Sequence, residues 1–149
     1  MKLEHIYRQV ILDHYRQKRN FTELVGENIL KVHYKNPTCG DVMTLFLEVK
    51  HDIVKKVAFL GEGCSISMAS SSMMTELIQN RTLGEISSLR KAFEKLIRTG
   101  ELTDPNIDLG DSYSLQGVHH LKARHNCALM PWQALDKALK EKVENYSCL

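Results

Sequence analysis

Leu3, Ile6, Tyr7, Val10, Ile11 and His14 recur at helical spacing near the start of the chain, with Lys2, Glu4, Arg8, Gln9 and Asp13 on other faces. This pattern predicts an amphipathic helix, ending in the polar run Arg16-Gln17-Lys18-Arg19-Asn20. Residues 21 to 38 show no clear period and contain Gly26 and Pro37, so an irregular but ordered connection is expected there. Val42 to Val49 and Ile53 to Leu60 are short, apolar, partly β-branched runs around the polar patch Lys50-His51-Asp52. They predict an antiparallel hairpin, stopped by Gly61 and Gly63.

From Ser65 the period is helical again. Ser67, Ala69, Ser70, Ser71 and Ser72 are small enough to let this helix lie close to the sheet, with Met68, Met73, Leu77 and Ile78 for apolar contact. Thr82-Leu83-Gly84-Glu85 has the form of a capping box. The helix it opens carries Ile86, Leu89, Phe93, Leu96 and Ile97, and Gly100 and Pro105 mark its stop. Residues 101 to 118, rich in Gly, Asp, Asn and Ser, predict a loop-like excursion. A last helix is expected from about His125 through Lys142, bent or delayed by Pro131. The fold class expected is α+β: a small, hairpin-based antiparallel sheet packed against helices, in one domain over residues 1–149.

Composition narrows the function classes. A formal net charge of +2 gives no argument for nucleic acid or an anionic membrane. No apolar stretch approaches the roughly 20 residues of a membrane-spanning helix, and the first residues carry charge where a signal sequence has an apolar core. A cytoplasmic protein is expected. Four cysteines in such a chain do not point to a disulfide framework, which leaves buried thiols or a metal or redox site.

Their placement favours the site. Cys39 lies in the turn Asn36-Pro37-Thr38-Cys39-Gly40-Asp41, Cys64 between the second strand and a helix, and Cys127 near the start of the last helix. A hairpin returns the chain to its origin, so Cys39 and Cys64 should share one sheet edge. Cys64 and Cys127 at helix starts would be biased towards thiolate. Asp41, two residues after Cys39 in extended chain, can face the same ion. Three thiolates and a carboxylate suit Zn²⁺, and an Fe–S cluster is the other candidate. Arg124, three residues before Cys127, is a supporting candidate that pairs with Asp41 or reaches a partner; a solvated surface arginine is the plainer alternative. His119 and His120 are candidate auxiliary ligands, more simply surface residues, and Cys148 beside the C-terminus is more simply an incidental thiol than a sulfur relay.

At these residues the chain resembles the U-type iron–sulfur assembly family, which includes the IscU and NifU scaffolds and the zinc-dependent SufU proteins. The resemblance rests on Asn36-Pro37-Thr38-Cys39-Gly40-Asp41, on Gly61-Glu62-Gly63-Cys64-Ser65-Ile66-Ser67-Met68-Ala69-Ser70, and on Cys127-Ala128-Leu129 with Trp132, Ala134 and Leu135. IscU-type scaffolds have a histidine directly before the third cysteine, where this chain has Asn126. The segment containing Leu109-Gly110-Asp111 and Leu115 resembles a SufU insertion, and Arg124 occupies the place of a SufU arginine.

The SufU resemblance implies zinc held by Cys39, Asp41, Cys64 and Cys127. It implies a sulfurtransferase-like role, with Cys39 accepting a persulfide from a pyridoxal-phosphate-dependent cysteine desulfurase of the SufS type. A histidine of that desulfurase would replace Cys39 on the metal, and a downstream assembly scaffold would receive the sulfur. The IscU resemblance implies the alternative, a transient Fe–S cluster built on the same ligands and passed to apo-proteins.

Overall fold

The structure is a computed structural model describing residues 2–147; Cys148 lies outside them. Its elements run α1 (Leu3–Arg16), β1 (Ile29–Lys35), β2 (Val42–Lys50), β3 (Ile53–Glu62), α2 (Ser65–Ile78), α3 (Leu83–Thr99), two 3-10 segments (Gly110–His120 and Lys122–Arg124) and α4 (His125–Ser147). The sheet is antiparallel in the order β1-β2-β3, so the fold is α+β as expected.

The β2–β3 hairpin matches the sequence pattern. His51 and Asp52 both have positive φ (54° and 60°), the backbone that a two-residue turn needs to follow the twist of its strands. The register pairs Val42 with Glu62, which sets the residues before β2 beside those after β3.

β1 corrects the expectation of an irregular connection. Leu30, Val32 and Tyr34 alternate inward, but only Val32 is fully buried and the other positions are largely polar. Three apolar positions on an edge strand give too short a period to stand out from 21 to 38. The consequence reaches the cysteines: β1 pairs Lys35 with Val42, so residues 36–41 form the loop of a second hairpin.

Val32, Met43, Leu45, Leu47, Val57 and Phe59 belong to one buried cluster with α2, α3 and α4. α2 is buried on nearly every side, and its small residues do more than permit close approach. Ser70 donates to the Ala128 carbonyl at 2.6 Å, and Ser72 meets His14 Nδ1 at 2.8 Å and accepts from the Arg19 N–H at 2.9 Å. Thr82 caps α3 by accepting from the Glu85 N–H, and Gly100 ends it in the left-handed conformation (φ 80°).

Two further expectations change. The stretch after α3 is not simply a loop: Leu109, Ser112, Ser114, Leu115 and Val118 are buried, and Asp111 reaches His14 Nε2 at 2.9 Å. Its Gly, Asp and Ser residues hid a 3-10 segment whose apolar positions are few. Pro131 neither delays nor ends α4, which starts at His125. As the seventh residue of α4, Pro131 lacks the N–H that would bond the Cys127 carbonyl four residues back, and its ring crowds that carbonyl, yet the helix continues through it.

Candidate metal centre

The 36–41 loop is held mainly by its own backbone. The Asn36 N–H donates to the Asp41 carbonyl at 2.7 Å, the Gly40 N–H to the Asn36 carbonyl at 3.0 Å, and the Thr38 N–H to Asn36 Oδ1 at 3.0 Å. Asn36 is fully buried, anchoring the base of the loop, while Cys39 is exposed at its tip. Gly40 has φ +74° and open space where a Cβ would stand, so glycine serves conformation there rather than close packing.

Cys127 occupies the opposite environment. It lies in the first turn of α4 and is 1% exposed. Its sulfur is 3.3 Å from the Cys39 sulfur. Ligand atoms of Cys39, Asp41 and Cys127 all fall within 4.8 Å of one another.

Cys64 caps α2 beside these three. Its N–H donates to Asp41 Oδ2 at 3.4 Å, and its sulfur accepts from the Ser67 N–H at 3.4 Å. Gly63 makes this approach possible. A Cβ there would lie 2.5 Å from Ser67 Oγ and 2.7 Å from the Asp41 carboxyl carbon.

The electrostatics separate the groups. Burial alone would raise the Asp41 carboxyl, but hydrogen bonding with Ser67, the Cys39 thiol, and the Cys64 amide and thiol outweighs it and holds the pKa below the ordinary value. Burial pushes the Cys127 thiol up to about 12, the neighbouring Cys39 and Cys64 thiols add to this, and Arg124 opposes it. For the free Cys127 thiol, burial beside two other thiols runs against the thiolate bias expected of a helix start. Arg124, from the second 3-10 segment, does not pair with Asp41. Its guanidinium is hydrogen-bonded towards Cys127, with the Cys64 sulfur also close by, and its pKa is raised accordingly.

The donor set fits a zinc ion. A tetrahedral shell with Zn–S near 2.3 Å and Zn–O near 2.1 Å puts its donors about 3.5–3.8 Å apart; the Cys39 and Cys127 sulfurs stand 3.3 Å apart, and Asp41 joins them in a set within 4.8 Å. The structure does not bring the fourth expected ligand, Cys64, into that set; its sulfur is turned to the Ser67 N–H. The histidines stand elsewhere. His125 Nε2 lies 3.1 Å from the His119 carbonyl, and the His119 and His120 rings lie 3.7 Å apart, tilted at 40° to each other.

Comparison with known proteins shows the family. The profile described as NifU-like N terminal domain matches residues 6–141. The chain belongs to that family. Among NifU-like relatives, it is 44% identical over 140 residues to the zinc-dependent sulfurtransferase SufU of Bacillus subtilis, covering 94% of this chain and 93% of that one. It is 35% identical over 139 residues to the iron–sulfur cluster assembly scaffold protein IscU of Streptococcus pyogenes, covering 93% and 86%. A solved structure described as an iron–sulfur cluster assembly scaffold protein for the SUF system, from Fervidobacterium islandicum, superposes with TM-score 0.79. Its identity is 34%, over 93% of this chain and 99% of that one.

Within this NifU-like fold, sequence reasoning missed two supports of the site. Asn36 ties the Cys39 loop to itself, and an Asn-Pro dipeptide before a cysteine was a readable turn signal. Thr38 accepts a 2.8 Å hydrogen bond from Asn126 Nδ2 on α4; no local pattern announces a contact between residues so far apart in sequence.

Proposed function

We propose that the protein is a zinc-dependent sulfur carrier of SufU type in the cytoplasm. It accepts persulfide sulfur on Cys39 from a pyridoxal-phosphate-dependent cysteine desulfurase and hands it towards iron–sulfur cluster assembly on a downstream scaffold. The observation that carries this is the cluster of Cys39, Asp41 and Cys127, in which Cys127 is buried and Cys39 is exposed on a loop. The likeness to a zinc-dependent sulfurtransferase over nearly the whole chain supports it.

Cys39, Asp41, Cys64 and Cys127 would hold the zinc, which when bound keeps cysteine sulfurs deprotonated near neutral pH. The chain's own residues account for the rest. Cys39, as thiolate, attacks the outer sulfur of the desulfurase persulfide. The new S–S bond forms on Cys39, the old one breaks, and the desulfurase cysteine leaves as a thiolate. Asp41 at the base of the loop and Cys127 on α4 stay in place while the loop's tip presents Cys39. Arg124, beside the cysteine sulfurs, offsets their negative charge.

The scaffold relatives favour a second reading, a labile Fe–S cluster assembled on the same residues. Against it, the position before Cys127 offers an amide rather than an imidazole, and that amide is engaged with Thr38. Peptide mapping after reaction with a SufS-type desulfurase and cysteine separates the two. The extra sulfur is expected on the Cys39 peptide and is lost in Cys39→Ser. Sulfur confined to other cysteines, with iron and acid-labile sulfide in anaerobically purified protein, would favour the scaffold.

A further inference from the structure

Two contacts join the Cys39 loop to the start of α4, and they lie side by side. Cys39 faces Cys127 across 3.3 Å, and the preceding residue of each pair, Thr38 and Asn126, is joined by a 2.8 Å hydrogen bond. The loop behind them is internally closed by the Asn36–Asp41, Gly40–Asn36 and Thr38–Asn36 bonds and rooted in buried Asn36. It is therefore built to move as one piece about its base. An outward swing of that piece breaks the Asn126–Thr38 bond along with the sulfur contact.

We infer that Asn126 and Thr38 form a latch that holds the Cys39 loop closed over the metal ligands and sets how readily Cys39 leaves them. Both are positioning residues, since they act on the sulfur only through the loop. The amide at position 126 thus acts by tethering a neighbouring segment, a use that needs no donor to the metal. The inference deepens the sulfur-carrier reading and rests on it for the meaning of the motion, but the tether itself can be tested without sulfur transfer.

The test compares Asn126→Ala, Thr38→Val, the double variant and Thr38→Ser in zinc-loaded full-length protein. Three quantities are read: the rate of Cys39 alkylation by iodoacetamide, zinc retention against a chelator, and sulfur capture from glutathione persulfide. Loss of one exposed hydrogen bond should speed Cys39 alkylation and weaken zinc retention about two- to ten-fold in each single variant. Sulfur capture per zinc-loaded chain should quicken. The double variant should change no more than either single one, because the two residues share one bond. Thr38→Ser, which keeps the hydroxyl, should match the unaltered protein.

Additive effects in the double variant, or unchanged Cys39 alkylation in both single ones, would overturn the latch. If the unaltered protein takes sulfur on a cysteine other than Cys39, the sulfur-carrier reading fails instead, and the alkylation comparison still decides the tether.

Discussion

Cys39 and Cys127 stand 3.3 Å apart yet belong to different kinds of structure. Cys39 sits at the exposed tip of a short loop whose hydrogen bonds are mostly its own. Cys127 is sealed at the start of a long helix, beside the sulfurs of Cys39 and Cys64. A sulfur carrier needs both. One thiol must stay to keep a metal site in shape, and one must move without unfolding what surrounds it. The difference also shows in protonation: the buried thiol is pushed up to about 12, so on its own it is a poor nucleophile near neutral pH.

The largest expected effect breaks this pair apart. Either cysteine is a proposed ligand, so the comparison is made with zinc chelated, where only the fold is measured. Cys127→Ser places a hydroxyl in a site that is 1% exposed and should lower unfolding free energy by about 1–3 kcal/mol. Cys39→Ser, at an exposed position, should stay within about 0.5 kcal/mol. Denaturant unfolding of both variants in chelator gives the numbers. Equal losses would mean that the loop is as much a part of the folded core as the helix start.

How far the sequence revealed this contrast differs between its two halves. The helix side was legible: a last helix is expected from about His125, and Cys127, Ala128, Leu129, Trp132, Ala134 and Leu135 on it carry part of the family resemblance. The loop side was half legible. Asn36 to Asp41 reads as a turn with chemistry in it, but β1, which makes that turn a closed hairpin loop, has only Leu30, Val32 and Tyr34 pointing inward. The metal-ligand candidates were found from their positions at element ends. The upward push on the Cys127 thiol was not, because burial and thiol-against-thiol effects depend on distances that spacing does not supply.

An effect of similar size sharpens the comparison from between the two regions. Gly63 lies against both Asp41 and Ser67, and a Cβ there would come within 2.5–2.9 Å of Ser67 Oγ and the Asp41 side chain. Ser67 is buried in α2 and Asp41 is tied back to Asn36, so neither can yield freely. Gly63→Ala should destabilise the chelated protein by about 1–3 kcal/mol. It should also weaken zinc retention, since the strain falls on a ligand candidate. Thermal unfolding with chelator and a zinc competition assay together test this. A loss of stability with unchanged zinc retention would remove Asp41 from the ligand set.

The smallest effect isolates the loop's conformation from its packing. Gly40 has φ +74°, and no atom lies within 4 Å of the place a Cβ would take. Gly40→Ala therefore meets no clash and bears only the left-handed backbone penalty, about 1–2 kcal/mol. Asparagine enters that region more easily than other residues with a Cβ, so Gly40→Asn should cost clearly less than Gly40→Ala. If steric crowding rather than φ were the constraint, the larger asparagine would cost more. The same pair of variants reports on Cys39 next door. An alanine that pushes residue 40 out of the left-handed region strains the Gly40 N–H bond to the Asn36 carbonyl and should speed amide exchange at residue 40. The asparagine should leave that exchange close to the unaltered rate. Equal exchange in both variants would mean that the loop keeps its closure without the left-handed residue, and that its shape is set from α4 through Thr38 instead.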